Sequence, residues 1–268
     1  MKKNKVKIAC LQTTSSKDPQ KNMSMLEQLF EKVSSNFDLI CLPECVAIFS
    51  DNKKDLDFFS KKYRESFFNL ITFYAKKKKS AILVGSVPEK INRFKYVNRS
   101  YIFNAKGVQK SSYDKINLFD VNLNKNEKYL ESKNYMAGKK LVVSDLLWGK
   151  LGMSICYDLR FPNLYRKLTK KGAQFFSIPA AFTFTTGKAH WHSLIRARAI
   201  ENGCFVFAPA QCGVHDNGRR TYGHSMIVNP WGKILVEAKK NKKQIISTII
   251  NIDEIGNSRK KIPSMTQF

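Results

Sequence analysis

"GMSICYDLRFPNLYR" (residues 152–166) runs from a short apolar segment straight into a charged, aromatic, proline-broken turn, with Cys156 at the junction. The segment leading into it, "GKLGMSIC" (149–156), reads as a strand. Pro162, well placed to open a helix, starts a helical stretch that reaches about Lys171. The apolar run "AQFFSIPA" (173–180) then reads as the next strand. Strand, helix and strand in this order make a βαβ step, the unit of α/β folds.

The same alternation extends in both directions. "KVKIACLQ" (5–12), "FDLICLPE" (37–44), "SAILVGSVPE" (80–89), "RSYIFNAKG" (99–107), "KLVVSDL" (140–146) and "CFVFAPAQ" (204–211) read as strands. Met23, Leu26, Phe30 and Val33 fall at helical spacing, Leu56 to Tyr74 is helix-like, and "AHWHSLIRARAIENG" (189–203) is a stronger helix. "HSMIVNPWGKILVEA" (224–238) reads as a hairpin, followed by the strand "QIISTIINI" (244–252). Mixed βα alternation and hairpins predict a layered α/β domain with mixed sheets. No linker or internal repeat divides the chain, so one domain over 1–268 is expected. The long polar loop from Asn117 to Ala137 reads as a functional loop.

Composition narrows the function classes. At 268 residues with 43% hydrophobic content, the chain can bury a large core. Its formal net charge of +26 comes mostly from lysines dispersed along the whole sequence, the pattern of a solvated surface. Nucleic-acid binding on a basic fold stays as a remote alternative, since no zinc-finger, basic-zipper or RNA-binding signature accompanies the charge. The six cysteines lack the spacing of a disulfide framework. The apolar run near the start is too short for a signal peptide, and none approaches a membrane span. A cytoplasmic protein with no membrane partner is expected.

Three reactive side chains stand just beyond apolar runs: Glu44 in "CLPEC", Lys115 in "SSYDKINLFD" and Cys156. Ligand and catalytic groups of α/β sheets gather outside the carboxyl ends of strands. Together the three could run acyl transfer: a thiolate attacks a carbonyl, a carboxylate shuttles the proton, and an ammonium holds the oxyanion. Taken singly, Cys156 also reads as a buried small hydrophobe, Glu44 as a loop carboxylate and Lys115 as one more surface lysine. An ammonium favours the thiolate and a carboxylate the thiol, so the resting state of Cys156 stays open.

These three motifs, in this order, resemble those of the nitrilase superfamily of carbon–nitrogen hydrolases, and the resemblance runs from "KIACLQTTSSKDPQKNM" (7–23) to "YGHSMIVNPWGKI" (222–234). It implies a four-layer αββα sandwich, with Glu44 as general base, Lys115 as oxyanion stabiliser and Cys156 as nucleophile forming a thioester. It further implies Glu131 of "YLESKNYMAG" as a second active-site glutamate beside the lysine, the Tyr157 backbone N–H as the other oxyanion donor, no cofactor or metal, and a homodimer or larger homo-oligomer.

Within the superfamily, the runs "AQCG" (210–213) and "GHS" (223–225) are most similar to the branch containing deaminated glutathione amidase, with omega-amidase its neighbour. The implied substrate is a small anionic amide: deaminated glutathione, cleaved to 2-oxoglutarate and cysteinylglycine as metabolite repair, or alternatively 2-oxoglutaramate. Arg198, Arg219 and Arg220 are the candidates for its carboxylates. Four positions depart from the common pattern: Asp114 for arginine, Asn117 for histidine, Asn163 for glutamate and His192 for glutamate. His190 and His192, two apart on a helix, face different ways and are not expected to chelate together. Cys45 is expected to pack.

Overall fold

The computed structural model describes residues 4–124 and 127–265. Its helices are α1 (Pro19–Lys32), α2 (Lys53–Phe58), α3 (Arg64–Lys77), α4 (Pro162–Lys170), α5 (Phe184–Asn202) and α6 (Asp253–Lys261). Local chemistry sets their ends. The Asp18 carboxylate accepts from the N–H groups of Gln20 and Lys21 and Pro19 follows it, which opens α1; Gly203, in the left-handed region, closes α5.

Two six-stranded sheets carry the fold. In spatial order the first comprises Gln244–Asn251, Lys5–Gln12, Leu39–Cys41, Ala81–Lys90, Tyr96–Phe103 and Gln109–Asp114. The second comprises Ile234–Glu237, Met226–Val228, Phe205–Ala208, Phe175–Ser177, Gly149–Met153 and Val143–Leu146. Each has three neighbouring parallel strands flanked by antiparallel ones, so the halves share a plan that the sequence shows as no repeat.

Side-chain alternation builds the layers. Ala9, Leu11, Ile40, Leu42, Ile82 and Val84 face α1 and α3, while Ile8, Cys10, Leu39, Cys41 and Leu83 join a core with Leu151, Met153, Phe175 and Phe207 of the second sheet. That same core runs on to Leu164, Leu168, Trp191 and Ile195 of α4 and α5. The result is the expected αββα sandwich, with Phe175 stacked on Phe205 and Phe207 within the second sheet.

Several details differ from the reading of the sequence. The helix expected over 56–74 divides into α2 and α3 around a π-turn at Phe59–Tyr63. Helix α5 begins at Phe184, five residues early, because Gly187 packs its bare Cα against Tyr222, a fit that offsets its poor propensity. The loop from Asn117 to Ala137 contains a hairpin, Asp120–Asn124 with Glu127–Leu130, and a 3₁₀ turn at Glu131–Lys133; Lys125 and Asn126 within it lie outside the described residues, as do both chain ends of the expected 1–268 domain. No helix is long and apolar enough to cross a membrane among the described residues.

Candidate active site

Glu44 follows the strand Leu39–Cys41, Lys115 follows Gln109–Asp114, and Cys156 follows Gly149–Met153 of the other sheet. A close backbone approach sets the first of these. Gly85 lies under Leu42 and Pro43 so tightly that a Cβ there would come within 2.2 Å of the Leu42 carbonyl, and this crossing aims Glu44 inward. Gln211 fixes the same segment from the second half, donating 2.9 Å to the Glu44 carbonyl while its own oxygen accepts from Thr13 and the Ser15 N–H.

The side chains converge in a cavity of about 860 Å³ lined by Glu44, Lys115, Glu131, Cys156 and Arg219. Lys115 Nζ donates 2.9 Å to Glu44 Oε1 and 2.9 Å to Glu131 Oε2. Asn98 Nδ2 bridges the same two carboxylates, 3.0 Å from Glu44 and 3.1 Å from Glu131. The Ala181 N–H gives 2.8 Å to Glu44 Oε2, and the Phe119 N–H gives 2.7 Å to Glu131 Oε2. One buried ammonium thus neutralises one of two carboxylates, and neutral donors absorb the rest.

The electrostatics follow from this balance. Burial would raise the Glu44 carboxyl, but Lys115 outweighs it and holds the group below the ordinary carboxylate range. Burial would likewise discharge Lys115, yet Glu131 and Glu44 push it well above its usual value. Burial and then the Glu44 charge push the Cys156 thiol well up, with Lys115 opposing, so the resting group is the thiol beside an ionised Glu44. A proton acceptor and the proton it would take are already paired.

Cys156 itself has left the strand. It opens a 3₁₀ turn, Cys156–Arg160, with φ +47, a left-handed backbone that a non-glycine residue holds only under constraint. Its N–H donates 2.9 Å to the Pro179 carbonyl, and the next amide, Tyr157, begins the turn without an intrahelical acceptor. Buried Asp158 locks this turn, accepting from Ile155 N–H, Tyr113 Oη and both the backbone and side-chain amides of Asn117.

Two departures from the common motif have partners in the structure. Asn117 supplies the donor between the Lys115 and Cys156 segments, and Asp114 is paired in a two-pronged contact with Arg99 of the neighbouring strand. Asn163 is exposed in the first turn of α4. His192 turns to Glu237, whereas His190 faces Arg160 at 3.2 Å, so the two histidines do diverge as expected.

The three arginines separate. Arg219 lines the cavity: Nη2 donates 2.7 Å to the Ala181 carbonyl, its guanidinium lies over Phe49, Phe119 and Tyr129, and its buried Nε has no hydrogen-bond partner. Arg198 corrects the expectation of a substrate contact, since it lies on the buried face of α5, with Nε on the Leu159 carbonyl and Nη1 on Glu201, and lines no part of the cavity. Arg220 corrects it too, pointing to solvent over the Phe184 ring and lining no part of the cavity. Cys45 does not simply pack: it lines the cavity, and burial and then Glu44 hold its thiol protonated. Asn98, Asp158 and Gln211 went unread in the sequence. A polar residue in the apolar strand Tyr96–Phe103 was the available sign for Asn98, and adjacency to Cys156 the sign for Asp158.

Comparison with known proteins supplies the family. The sequence profile of the carbon–nitrogen hydrolases matches residues 7–260. The chain belongs to the carbon–nitrogen hydrolase family. Among curated relatives, the deaminated glutathione amidase of Dictyostelium discoideum is 40% identical over 97% of this chain and 93% of its own. Among solved structures, the Caenorhabditis elegans NitFhit protein superposes with a TM-score of 0.91 at 33% identity, over 100% of this chain and 66% of that one. Saccharomyces cerevisiae Nit3, of branch 10 of the nitrilase superfamily, gives 0.83 at 29% identity over 98% and 96%. This carbon–nitrogen hydrolase therefore has the sandwich of the nitrilase superfamily.

Proposed function

We propose that this hydrolase is a thioester-forming amidase whose substrate is deaminated glutathione, the amide of 2-oxoglutarate with cysteinylglycine. Glu44 takes the Cys156 proton as sulfur attacks the amide carbon. Lys115 and the Tyr157 N–H hold the oxyanion, and the tetrahedral adduct collapses to a thioester as Glu44 protonates the departing amine. Water, deprotonated by Glu44, then attacks the thioester and releases 2-oxoglutarate, returning the proton to sulfur. Glu131 positions Lys115 throughout.

The observation that carries the substrate class is Arg219, which lines the same cavity as Cys156 with its guanidinium held among Phe49, Phe119 and Tyr129. A guanidinium fixed in a cavity wall offers a substrate carboxylate a charge-assisted hydrogen bond. Lys53, Lys54, Lys128 and Lys133 also line this cavity, against Asp51 and Asp57. A space of about 860 Å³ suits an extended dianion better than the few atoms of 2-oxoglutaramate. The name of the Dictyostelium relative supports the same choice. All six cysteines are free, which supports a reducing, cytoplasmic setting. The superfamily resemblance supports a homo-oligomer, which sedimentation would test.

The test is 2-oxoglutarate release from deaminated glutathione and from 2-oxoglutaramate, with Cys156→Ala and Arg219→Gln beside the parent. Cys156→Ala should abolish release from either. Arg219→Gln should raise KM for deaminated glutathione. Substantial release by Cys156→Ala would overturn the mechanism, and preference for 2-oxoglutaramate would overturn the substrate.

A further inference from the structure

Three ligand-type side chains from three separate elements meet outside the lining of the catalytic cavity: His192 of α5, His224 after the strand Arg220–Tyr222, and Glu237 at the end of the hairpin. His192 Nε2 lies 2.9 Å from Glu237 Oε1, and His224 Nδ1 lies 2.5 Å from the same oxygen. All three ligating atoms fall within 4.8 Å of one another. From these contacts we propose that His192, His224 and Glu237 form a binding site for a divalent transition ion of the zinc type.

The donor set is the first argument. Two imidazoles and one carboxylate select zinc and its neighbours over magnesium or calcium, which prefer oxygen ligands throughout. Three protein ligands plus a water complete a tetrahedron. Zinc-to-ligand lengths of about 2.0–2.2 Å place tetrahedral ligands roughly 3.3–3.5 Å apart, so each histidine–carboxylate contact would open by about 1 Å or less while the two imidazole nitrogens, now within 4.8 Å, settle to the same spacing. Glu237 and His192, with side chains 30% and 34% exposed, have the freedom to make that adjustment.

Preorganisation is the second argument. His224 sits at φ +56, a backbone state that needs outside support. Trp191 supplies it by donating from Nε1 to the His224 carbonyl at 2.9 Å, and the imidazole stacks on Tyr222 with centroids 4.3 Å apart. The His192 and His224 rings lie 5.3 Å apart with their planes at 68°, and a nitrogen of each reaches the same Glu237 oxygen. His192 also stands where the superfamily motif commonly has glutamate, so in this chain an imidazole has joined the cluster. An ion here would pin α5 to the hairpin and leave the cavity untouched.

Binding is measured on Cys156→Ala, which removes the reactive thiol as a competing ligand and makes the result independent of the amidase reading. Equilibrium dialysis against zinc should find about one ion per chain, with a rise in Tm. Cobalt should give the visible spectrum of a four-coordinate nitrogen–oxygen site, without thiolate charge transfer. Adding His192→Ala at a half-buried position or Glu237→Gln at an exposed one should abolish the bound zinc, the Tm rise and the cobalt spectrum together. Uptake unchanged by either substitution, a thiolate-type cobalt spectrum, or no uptake by the folded Cys156→Ala protein would each overturn the proposal.

Discussion

Replacing Glu131 with glutamine keeps the shape of the side chain and removes its charge, and the structure shows why that exchange cannot be silent. Both carboxylate oxygens accept from donors: Oε1 from Asn98 Nδ2 at 3.1 Å and Lys115 at 3.2 Å, Oε2 from Phe119 N–H at 2.7 Å and Lys115 at 2.9 Å. A glutamine has one oxygen, so whichever way it turns, its NH₂ meets Lys115 together with Asn98 or Phe119. Two mismatched donors at about 1–3 kcal/mol each come to about 2–6 kcal/mol. Expressed in the transition state, even the lower bound is about 30-fold in rate. The charge has a second effect. With Glu131 neutral, Lys115 serves Glu44 alone and a repelling carboxylate is gone, so the Glu44 carboxyl, already below its ordinary range, moves lower still. The assay is kcat/KM for 2-oxoglutarate release against pH, with a thermal melt beside it. The plateau should fall at least about 30-fold while the acid limb shifts to lower pH. A plateau within about threefold of the parent, with its acid limb unmoved, would refute the positioning of Lys115 by Glu131.

Gly85→Ala would drive a methyl to within 2.2 Å of the Leu42 carbonyl and displace the segment that aims Glu44; a folded variant should lose about 100-fold in kcat, and full activity would show that the crossing is not needed. His215 is buried and neutral, its pKa lowered to about 4 by burial, chiefly, against the usual 6.5. The unfolded chain therefore takes the proton first. Stability from this group is present above pH 6.5 and falls by about 3 kcal/mol as the pH drops toward 4, a slope that His215→Gln should remove in urea titrations at neutral and acid pH. Arg198→Met should lower stability by about 1–3 kcal/mol through the orphaned Leu159 carbonyl and leave KM unchanged; a raised KM would return Arg198 to the substrate.

Much of this architecture could be read in the chain because the informative residues are local. The strand Lys5–Gln12 alternates between two buried faces, and its expected bounds match the structure. Helix α6 escaped notice for the opposite reason: Ile255 alone is buried along it, so no apolar stripe marks it. Glu44, Lys115 and Cys156 were singled out through motif resemblance, whereas the residues packed around them depend on contacts between distant segments. Asn98 and Glu44 are 54 positions apart, and Gln211 and Glu44 are 167 apart. Arg198 and Arg219 are the same residue type in the same third of the chain, and nothing local distinguishes the one tied down on the buried face of α5 from the one clamped between rings at the cavity wall.

Glu44 and Lys115 extend from one sheet and Cys156 from the other. The proposed reaction centre is therefore a property of the seam, and neither sheet possesses it alone. Under mild denaturant, a slippage of one sheet across the other should extinguish turnover while far-ultraviolet dichroism still reports intact strands and helices. Turnover in this protein is thus a more sensitive gauge of docking between its halves than any measure of its secondary structure.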